Sequence, residues 1–169
     1  MKTHTWAVAG IMGLLLVLET SVLPHLAVKG VKPDLILLFV ISLGLLNGTR
    51  EGAVAGFTGG LLEDLLLGRY VGVRAISKMV AGYLAGLAGR RVYRDSLFTS
   101  VFLVLGGTII SEFLSFALWW KLGSSLTLGA GLVSVILPLA VLNSMVAPFI
   151  YGQVYRHTVN RRTSAPGSG

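Results

Sequence analysis

Six apolar stretches separated by short polar segments limit most strongly how this chain can fold. A helix that crosses a bilayer needs about 20 mostly apolar residues. Only 12% of the residues are charged, about half of the share that is usual in a soluble domain. The sequence therefore predicts an all-α membrane protein, a compact bundle of about six transmembrane helices. The apolar runs cover residues 6–23, 34–48, 53–67, 75–89, 96–120 and 126–152.

The second, third and fourth runs are short for a full crossing, so a re-entrant hairpin between four long spans stays open as an alternative. The first run is expected to be a retained span, because no small-x-small cleavage motif follows it. Every loop is short, which predicts one polytopic membrane domain over residues 1–162. Residues 163–169 are rich in Ser, Gly and Pro and are expected to be a disordered tail.

Basic residues indicate the orientation, because cytoplasmic loops of membrane proteins carry an excess of Lys and Arg. Placing both termini in the cytoplasm puts the larger share of the cations on that side. The non-cytoplasmic side then carries Lys29, Lys32, Arg69, Arg74 and Lys121. The cytoplasmic side carries Lys2, Arg50, Arg90, Arg91, Arg94, Arg156, Arg161 and Arg162.

Residues that would support catalysis or metal binding do not occur in a recognisable arrangement. The chain has no cysteine, and its histidines, His4, His25 and His157, are scattered near loops and termini. No nucleophile elbow, phosphate-binding loop or zinc-binding helix motif is present. We therefore expect no enzyme, no cofactor and no metal. We attribute the net charge of +7 to contacts with anionic lipid. Nucleic-acid binding is not expected, because no basic stripe with interleaved aromatics is present.

Glycine recurs at every fourth position in the middle of the chain. Residues four apart lie along one ridge of a helix, and a ridge without side chains lets another backbone approach closely. The third and fourth runs are antiparallel neighbours, so their small faces are expected to meet each other or a third helix. The first ridge consists of Gly52, Gly56, Gly60, Asp64, Gly68 and Gly72, of which the last two also suit a turn, and the second of Lys78, Gly82, Gly86 and Arg90.

Charged residues within the apolar runs suggest an ion pair, because an unpaired charge at membrane depth is costly. Asp64 lies near the end of the third run, and Arg74 and Lys78 begin the next run after a short turn. A pair between Asp64 and either cation is therefore predicted.

Other polar residues in the runs receive less specific predictions. Glu19 and Glu63 are expected to reach the membrane interface. Glu112 lies deeper, and it could face a groove or a partner helix; the sequence does not identify its partner. Asn143 and Ser144 are suited to hydrogen bonds across helices.

The glycine-rich segment from Gly52 to Gly72 resembles the signature of MreD, a family of rod shape-determining membrane proteins. The second run also opens on Pro33-Asp34-Leu35, as in that family, and the chain length and number of spans agree. The specific part of the resemblance covers residues 33–72, and the remainder matches by hydropathy only. The motif positions that carry over are Pro33, Asp34, Gly52, Gly56, Gly60, Asp64, Gly68 and Gly72.

The resemblance implies a non-enzymatic scaffold of the bacterial rod complex in the inner membrane. Such a scaffold would bind the bitopic protein MreC and help to link MreB filaments to peptidoglycan synthases. It also implies a fold similar to the S-components of energy-coupling-factor transporters. On this basis the glycine ridge and Asp64 are expected to present a groove to the MreC helix. Arg90, Arg91 and Arg94 are expected to contact anionic lipid or a cytoplasmic partner.

Two other functions are compatible with a small polytopic membrane protein. A substrate-binding component of a vitamin-type transporter would follow from the S-component likeness, although aromatic residues are few and dispersed. A small membrane-bound enzyme is disfavoured by the missing site chemistry. The formation of a homo-oligomer stays open.

Overall fold

The computed structural model describes residues 2–27, 31–67, 71–90, 97–122 and 135–163. These residues form six α-helices and one short 3-10 turn over Leu23–Leu26. This confirms the prediction of an all-α membrane protein. In chain order the helices are α1 (Lys2–Ser21), α2 (Leu35–Asn47), α3 (Thr49–Leu67), α4 (Val73–Ala88), α5 (Leu97–Lys121) and α6 (Leu137–Thr163).

Helices α1 to α5 coincide with the first five predicted runs apart from a few residues at their ends. The sixth run was predicted from residue 126, whereas α6 begins at Leu137, and residues 123–134 lie outside the described part. Pro138 is the second residue of α6. Of the predicted tail, Thr163 ends α6, and residues 164–169 lie outside the described part.

Three of the described helices are long and apolar enough to cross a membrane by themselves. The corresponding apolar windows are Val8–His25, which continues from α1 into the 3-10 turn, Ser100–Lys121 and Leu137–Arg156. Helices α2 and α4 have 13 and 16 residues. At ~1.5 Å per residue these lengths fall short of the ~30 Å of a typical hydrocarbon core. The middle of the chain therefore depends on its neighbours for its place in the membrane.

Helix α2 forms the centre of the bundle. Each of its residues from 35 to 46 is buried, and α1, α3, α4, α5 and α6 all pack against it. A helix that is apolar on every side is stable only where other helices or lipid cover all of its surface. The nearly continuous apolar run of α2 is explained by this central position.

Glycines bring α2, α3 and α4 into backbone contact. A Cβ atom added at Gly56 of α3 would collide with the backbone of Lys78 in α4. Gly52 and Gly82 face each other in the same way, and a Cβ atom at Gly44 of α2 would lie 2.5 Å from the carbonyl oxygen of Gly82. The two small faces, which the sequence analysis expected to meet each other or a third helix, thus pack on each other, and α2 joins them.

Two glycines serve the connections between these helices. Gly48 separates α2 from α3 with a φ of 108°, and Gly72 precedes α4 with a φ of 105°. L-residues with a side chain rarely adopt positive φ, so glycine is needed at both turns. Gly68, the other glycine assigned to the ridge or to the turn, lies outside the described residues.

We predict that Gly56→Ala lowers the free energy of unfolding by about 1–3 kcal/mol, because a methyl group would have to displace the backbone of α4. Gly106→Ala is the matched control, since a Cβ atom there meets nothing within 4 Å. The control is expected to be neutral or to stabilise by up to ~1 kcal/mol through helix propensity. Equilibrium unfolding in detergent measures both variants. Equal stability of the two would contradict the close packing described above.

Candidate functional site

A buried ammonium group lies at the centre of the polar part of this bundle. The side chain of Lys78, on α4, is only 2% exposed. Its Nζ lies 2.7 Å from Oδ1 and 2.6 Å from Oδ2 of Asp34, and it also donates a hydrogen bond to Oε1 of Glu63. One cation thus binds a carboxylate before α2 and a carboxylate on α3. We refer to Lys78, Asp34 and Glu63, together with Glu19 and Arg74, as the charge cluster.

Asp34 is held in place by the start of α2. It is the N-cap residue of that helix, and its Oδ1 accepts a hydrogen bond of 2.7 Å from the backbone N–H of Leu37. A carboxylate at an N-cap satisfies a backbone donor that has no partner inside the helix. Pro33 lies in the non-helical segment immediately before it. The predicted motif Pro33-Asp34 therefore marks both the beginning of α2 and a ligand of Lys78.

The same residue connects α2 to the last two helices. The backbone N–H of Asp34 donates to Oδ1 of Asn143 on α6 at 2.8 Å. The Nδ2 group of Asn143 donates in turn to Oγ1 of Thr108 on α5 at 3.1 Å. Asn143 and Thr108 are completely buried. This chain of hydrogen bonds fixes α5 and α6 relative to the charge cluster.

Glu63 also binds the second cation of the cluster. Nη1 of Arg74 lies 3.0 Å from Oε2 of Glu63. The guanidinium carbon of Arg74 lies 6.0 Å from the ring centroid of Trp119, within the range of a cation–π contact. Glu63 therefore uses one oxygen for Lys78 and the other for Arg74.

The predicted ion pair was wrong in its carboxylate: the side chains of Arg74 and Lys78 bind Glu63, not Asp64. Asp64 instead accepts hydrogen bonds from the backbone N–H groups of Gly72 at 2.8 Å, Arg74 at 3.1 Å and Ala75 at 3.2 Å. It thereby caps the N-terminus of α4, where Gly72 offers no side-chain acceptor of its own. Adjacent helical residues point about 100° apart, so only one of the two carboxylates can face the side chain of Lys78.

The prediction for Glu19 was also wrong. Glu19 was expected to reach the membrane interface, but only 5% of the residue is exposed in the bundle. One carboxylate oxygen from each of Glu19, Asp34 and Glu63 lies within 4.8 Å of the other two. Among the buried side-chain polar atoms of the described residues, Oε2 of Glu19 and Oγ of Ser111 have no hydrogen-bond partner. Sequence reasoning considered metal sites only through histidine and cysteine, and therefore missed this group of three carboxylates.

Glu112 lies on α5 and is partly buried. Its charge is repelled by those of Asp34 and Glu63 and attracted by those of Arg74 and Lys78. The structure therefore gives Glu112 an electrostatic relation to the cluster, which the sequence analysis did not identify. The sequence contains a signal for this placement, because polar residues of α5 recur at helical spacing on the face that includes Glu112. The structure buries four of these polar residues. They are Ser100, Thr108, Ser111 and Ser115.

The predicted basic anchor lies mostly outside the described residues. Arg90 is exposed just after the end of α4, whereas Arg91 and Arg94 belong to the segment that is not described. The glycine ridge is also not available as an open groove, because α4 covers Gly52, Gly56 and Gly60. The expectation that this ridge receives a partner helix is therefore corrected, since the ridge already receives a helix of the same chain.

Comparison with known proteins gives one result. The family model of rod shape-determining protein MreD matches residues 1–156. No curated protein and no solved structure matches the chain significantly. The matched segment includes all of the charge cluster and all of the described glycine contacts.

We predict that Lys78→Met lowers the free energy of unfolding by about 3–5 kcal/mol, because it leaves the buried carboxylate of Asp34 without its cation and that of Glu63 with Arg74 alone. Lys121→Met is the matched control, since Lys121 is exposed in the last turn of α5. Thermal unfolding in detergent compares the two variants. If both melt together with the wild type, the ammonium of Lys78 does not stabilise the bundle.

A pair of double-mutant cycles distinguishes the two adjacent carboxylates. Glu63→Gln combined with Arg74→Met is expected to show a coupling energy of about 0.5–3 kcal/mol, as for residues in direct contact. Asp64→Asn combined with Arg74→Met is expected to be nearly additive, because Asp64 contacts only the backbone of that residue. Equilibrium unfolding measures both cycles. A larger coupling for Asp64 than for Glu63 would restore the pair predicted from sequence.

Proposed function

Because this chain belongs to the MreD family of rod shape-determining proteins, we propose that it is a non-enzymatic membrane scaffold of the bacterial rod complex. In this role it binds the transmembrane helix of MreC and helps to couple MreB filaments to peptidoglycan synthases. The family match supports the role in rod shape. The internal use of the charge cluster, which joins helices through ion pairs, is consistent with a structural part in an assembly.

The proposed docking site for the MreC helix is a face of α1 with small residues that the described part of the bundle leaves open. A Cβ atom at Gly10 or Gly13 would meet nothing within 4 Å, and Ala9 beside them is exposed. Leu14 and Val17 on the same helix are 61% and 56% exposed. Helices associate in membranes by close packing at small residues, because lipid is as apolar as the helix surface. This face therefore suits a single apolar helix such as that of MreC.

The opposite face of α1 is occupied by the bundle. Met12 and Leu15 are buried, and the side chain of Met12 lies against Gly59 of α3. Only 22% of the apolar window of α1 is buried, compared with 28% and 33% in the windows of α5 and α6. Helix α1 thus has a fixed inner side and a largely uncovered outer side.

The orientation within this proposal follows the distribution of charge. A multi-pass chain in the inner membrane, with both termini in the cytoplasm, leaves the exposed Arg90 and Arg156 on the inner side. There they would contact anionic lipid or a cytoplasmic partner. The charge cluster, at the ends of α1 and α3 and the beginnings of α2 and α4, would lie toward the outer side. The family match does not favour the alternative of a substrate-binding transport component.

Co-purification with MreC tests the proposal. Gly13→Leu is expected to reduce the recovery of the chain on tagged MreC several-fold, because a large side chain keeps the two helices apart. Gly106→Leu is the matched control, since Gly106 is an equally open helical glycine on α5. Both variants are first checked for wild-type thermal unfolding.

Each pattern of recovery has a definite meaning. Loss with Gly13→Leu alone supports docking on α1. Loss with Gly106→Leu alone moves the docking face to α5 and contradicts the assignment to α1. Undiminished recovery of both variants, or equal loss of both, also contradicts that assignment. Absence of MreC recovery with the wild-type chain contradicts the scaffold proposal itself.

A further inference from the structure

Glu112 is the carboxylate that the described part of the bundle leaves without a direct partner. It lies on α5, and no described residue donates a hydrogen bond to it or forms an ion pair with it. Arg74 and Lys78 attract its charge from beyond ion-pair distance. Those two cations already bind Asp34 and Glu63, which repel the charge of Glu112. The other described carboxylates each have an ionic or hydrogen-bonding partner; they are Glu19, Asp34, Glu51, Glu63 and Asp64.

Glu112 lies at membrane depth. The same helix carries Trp119 and Trp120 in its last turn, and tryptophan is enriched at membrane–water interfaces. Glu112 precedes Trp119 by seven positions in the sequence, which is about 10 Å along a helix. At this level hydrocarbon lies outside the bundle. A carboxylate without a cation is unfavourable there, so Glu112 needs a partner that the described part of the chain does not supply.

Glu112 occupies the edge between a buried and an exposed face of α5. Ser111, on one side of it, is buried, whereas Phe113, on the other, is 52% exposed. Ile109 and Phe116, one turn away in either direction, are half-buried, as is Glu112 itself. The oxygens of Glu112 are not among the enclosed polar atoms that lack a partner. The carboxylate is therefore accessible from outside the bundle, within an apolar and partly aromatic surface.

The depth and charge of this surface select its occupant. The amines of lipid headgroups stay at the interface, about 10 Å from Glu112 along the membrane normal, and do not reach it. A Lys or Arg on another transmembrane helix can lie at that depth when it is paired with a carboxylate. A second copy of this chain does not supply such a cation from its described residues. At this end of the bundle its cations are bound internally or lie beside the interfacial tryptophans; they are Lys32, Arg74, Lys78 and Lys121.

We propose that Glu112 anchors a second docking surface, on α5, for a partner transmembrane helix that carries a Lys or Arg about two turns inside the membrane. Glu112 forms an ion pair with that cation, and Ile109, Phe113 and Phe116 pack against the apolar side chains beside it. Opposite charges give this surface its specificity, because apolar packing alone does not distinguish a partner helix from lipid. The surface is separate from the face of α1 proposed for MreC, so its failure would leave the scaffold proposal in place.

Binding of a model helix in lipid vesicles tests this surface. The probe is a synthetic single-span peptide of Leu and Ala with one Lys two turns inside an interfacial Trp, and the matched peptide has Leu in place of that Lys. Because the full chain contains no cysteine, Leu122→Cys, at an exposed position after α5, carries the donor dye. Energy transfer to an acceptor dye on the peptide measures binding. The Lys peptide is expected to bind several-fold more tightly than the Leu peptide.

Two variants of the labelled chain assign the preference to Glu112. Glu112→Gln is isosteric and neutral, so it is expected to bind both peptides equally. Glu51→Gln, which removes an exposed carboxylate of α3, is expected to keep the preference for Lys. The proposal is overturned if the chain with Glu112 binds both peptides equally, a comparison that needs no variant at this position. It is also overturned if Glu112→Gln keeps the preference, or if Glu51→Gln loses it as well. Energy transfer between labelled chains that requires Glu112 would assign the surface to a second copy and would likewise overturn it.

Discussion

The ammonium group of Lys78 is the interaction on which the arrangement of the central helices depends. Its side chain joins Asp34 and Glu63 across three helices, and its backbone is the surface that Gly56 contacts. The glycine packing and the charge cluster therefore meet at one residue. Close backbone approach brings the ammonium within reach of its carboxylates, and the ion pairs in turn hold the backbones together. A buried charge is tolerated here because both of its partners are also charged and fixed.

The small-residue faces of α3 and α4 are buried against each other within the same chain. In a membrane, helix association gains little from the hydrophobic effect and relies on dispersion and polar contacts. Glycines between α2, α3 and α4 allow close backbone contact, which holds together a group of helices of which α2 and α4 are short for a full crossing. A partner helix must then use another part of the surface. Helix α1, with Gly10 and Gly13 uncovered, retains the same kind of surface on the outside of the bundle.

The residues of the charge cluster lie toward one end of the bundle. Asp34, Arg74 and Lys78 lie near the beginnings of their helices, and Glu19 and Glu63 lie near the ends of theirs. Because consecutive helices run in opposite directions, these positions come together at the same level. Asp64 adds to the arrangement without joining the ion pairs, since it neutralises the positive N-terminus of α4. The free oxygen of Glu19 is the acceptor of this cluster that the described side chains leave unsatisfied.

The sequence by itself determined the helices and their neighbours. Run length, Asp34 before an apolar stretch, and glycine at every fourth position are local patterns, and the described structure follows them closely. Only the tertiary structure decided which side chains meet. The choice between Glu63 and Asp64 depends on the rotation of α3 against α4, which a single turn of sequence does not specify. Asn143 reaches Asp34 across 109 positions of the chain, and Glu19 turns inward only because α1 packs on α2. Such contacts depend on the rotation and spacing of separate helices, and no local pattern encodes these quantities.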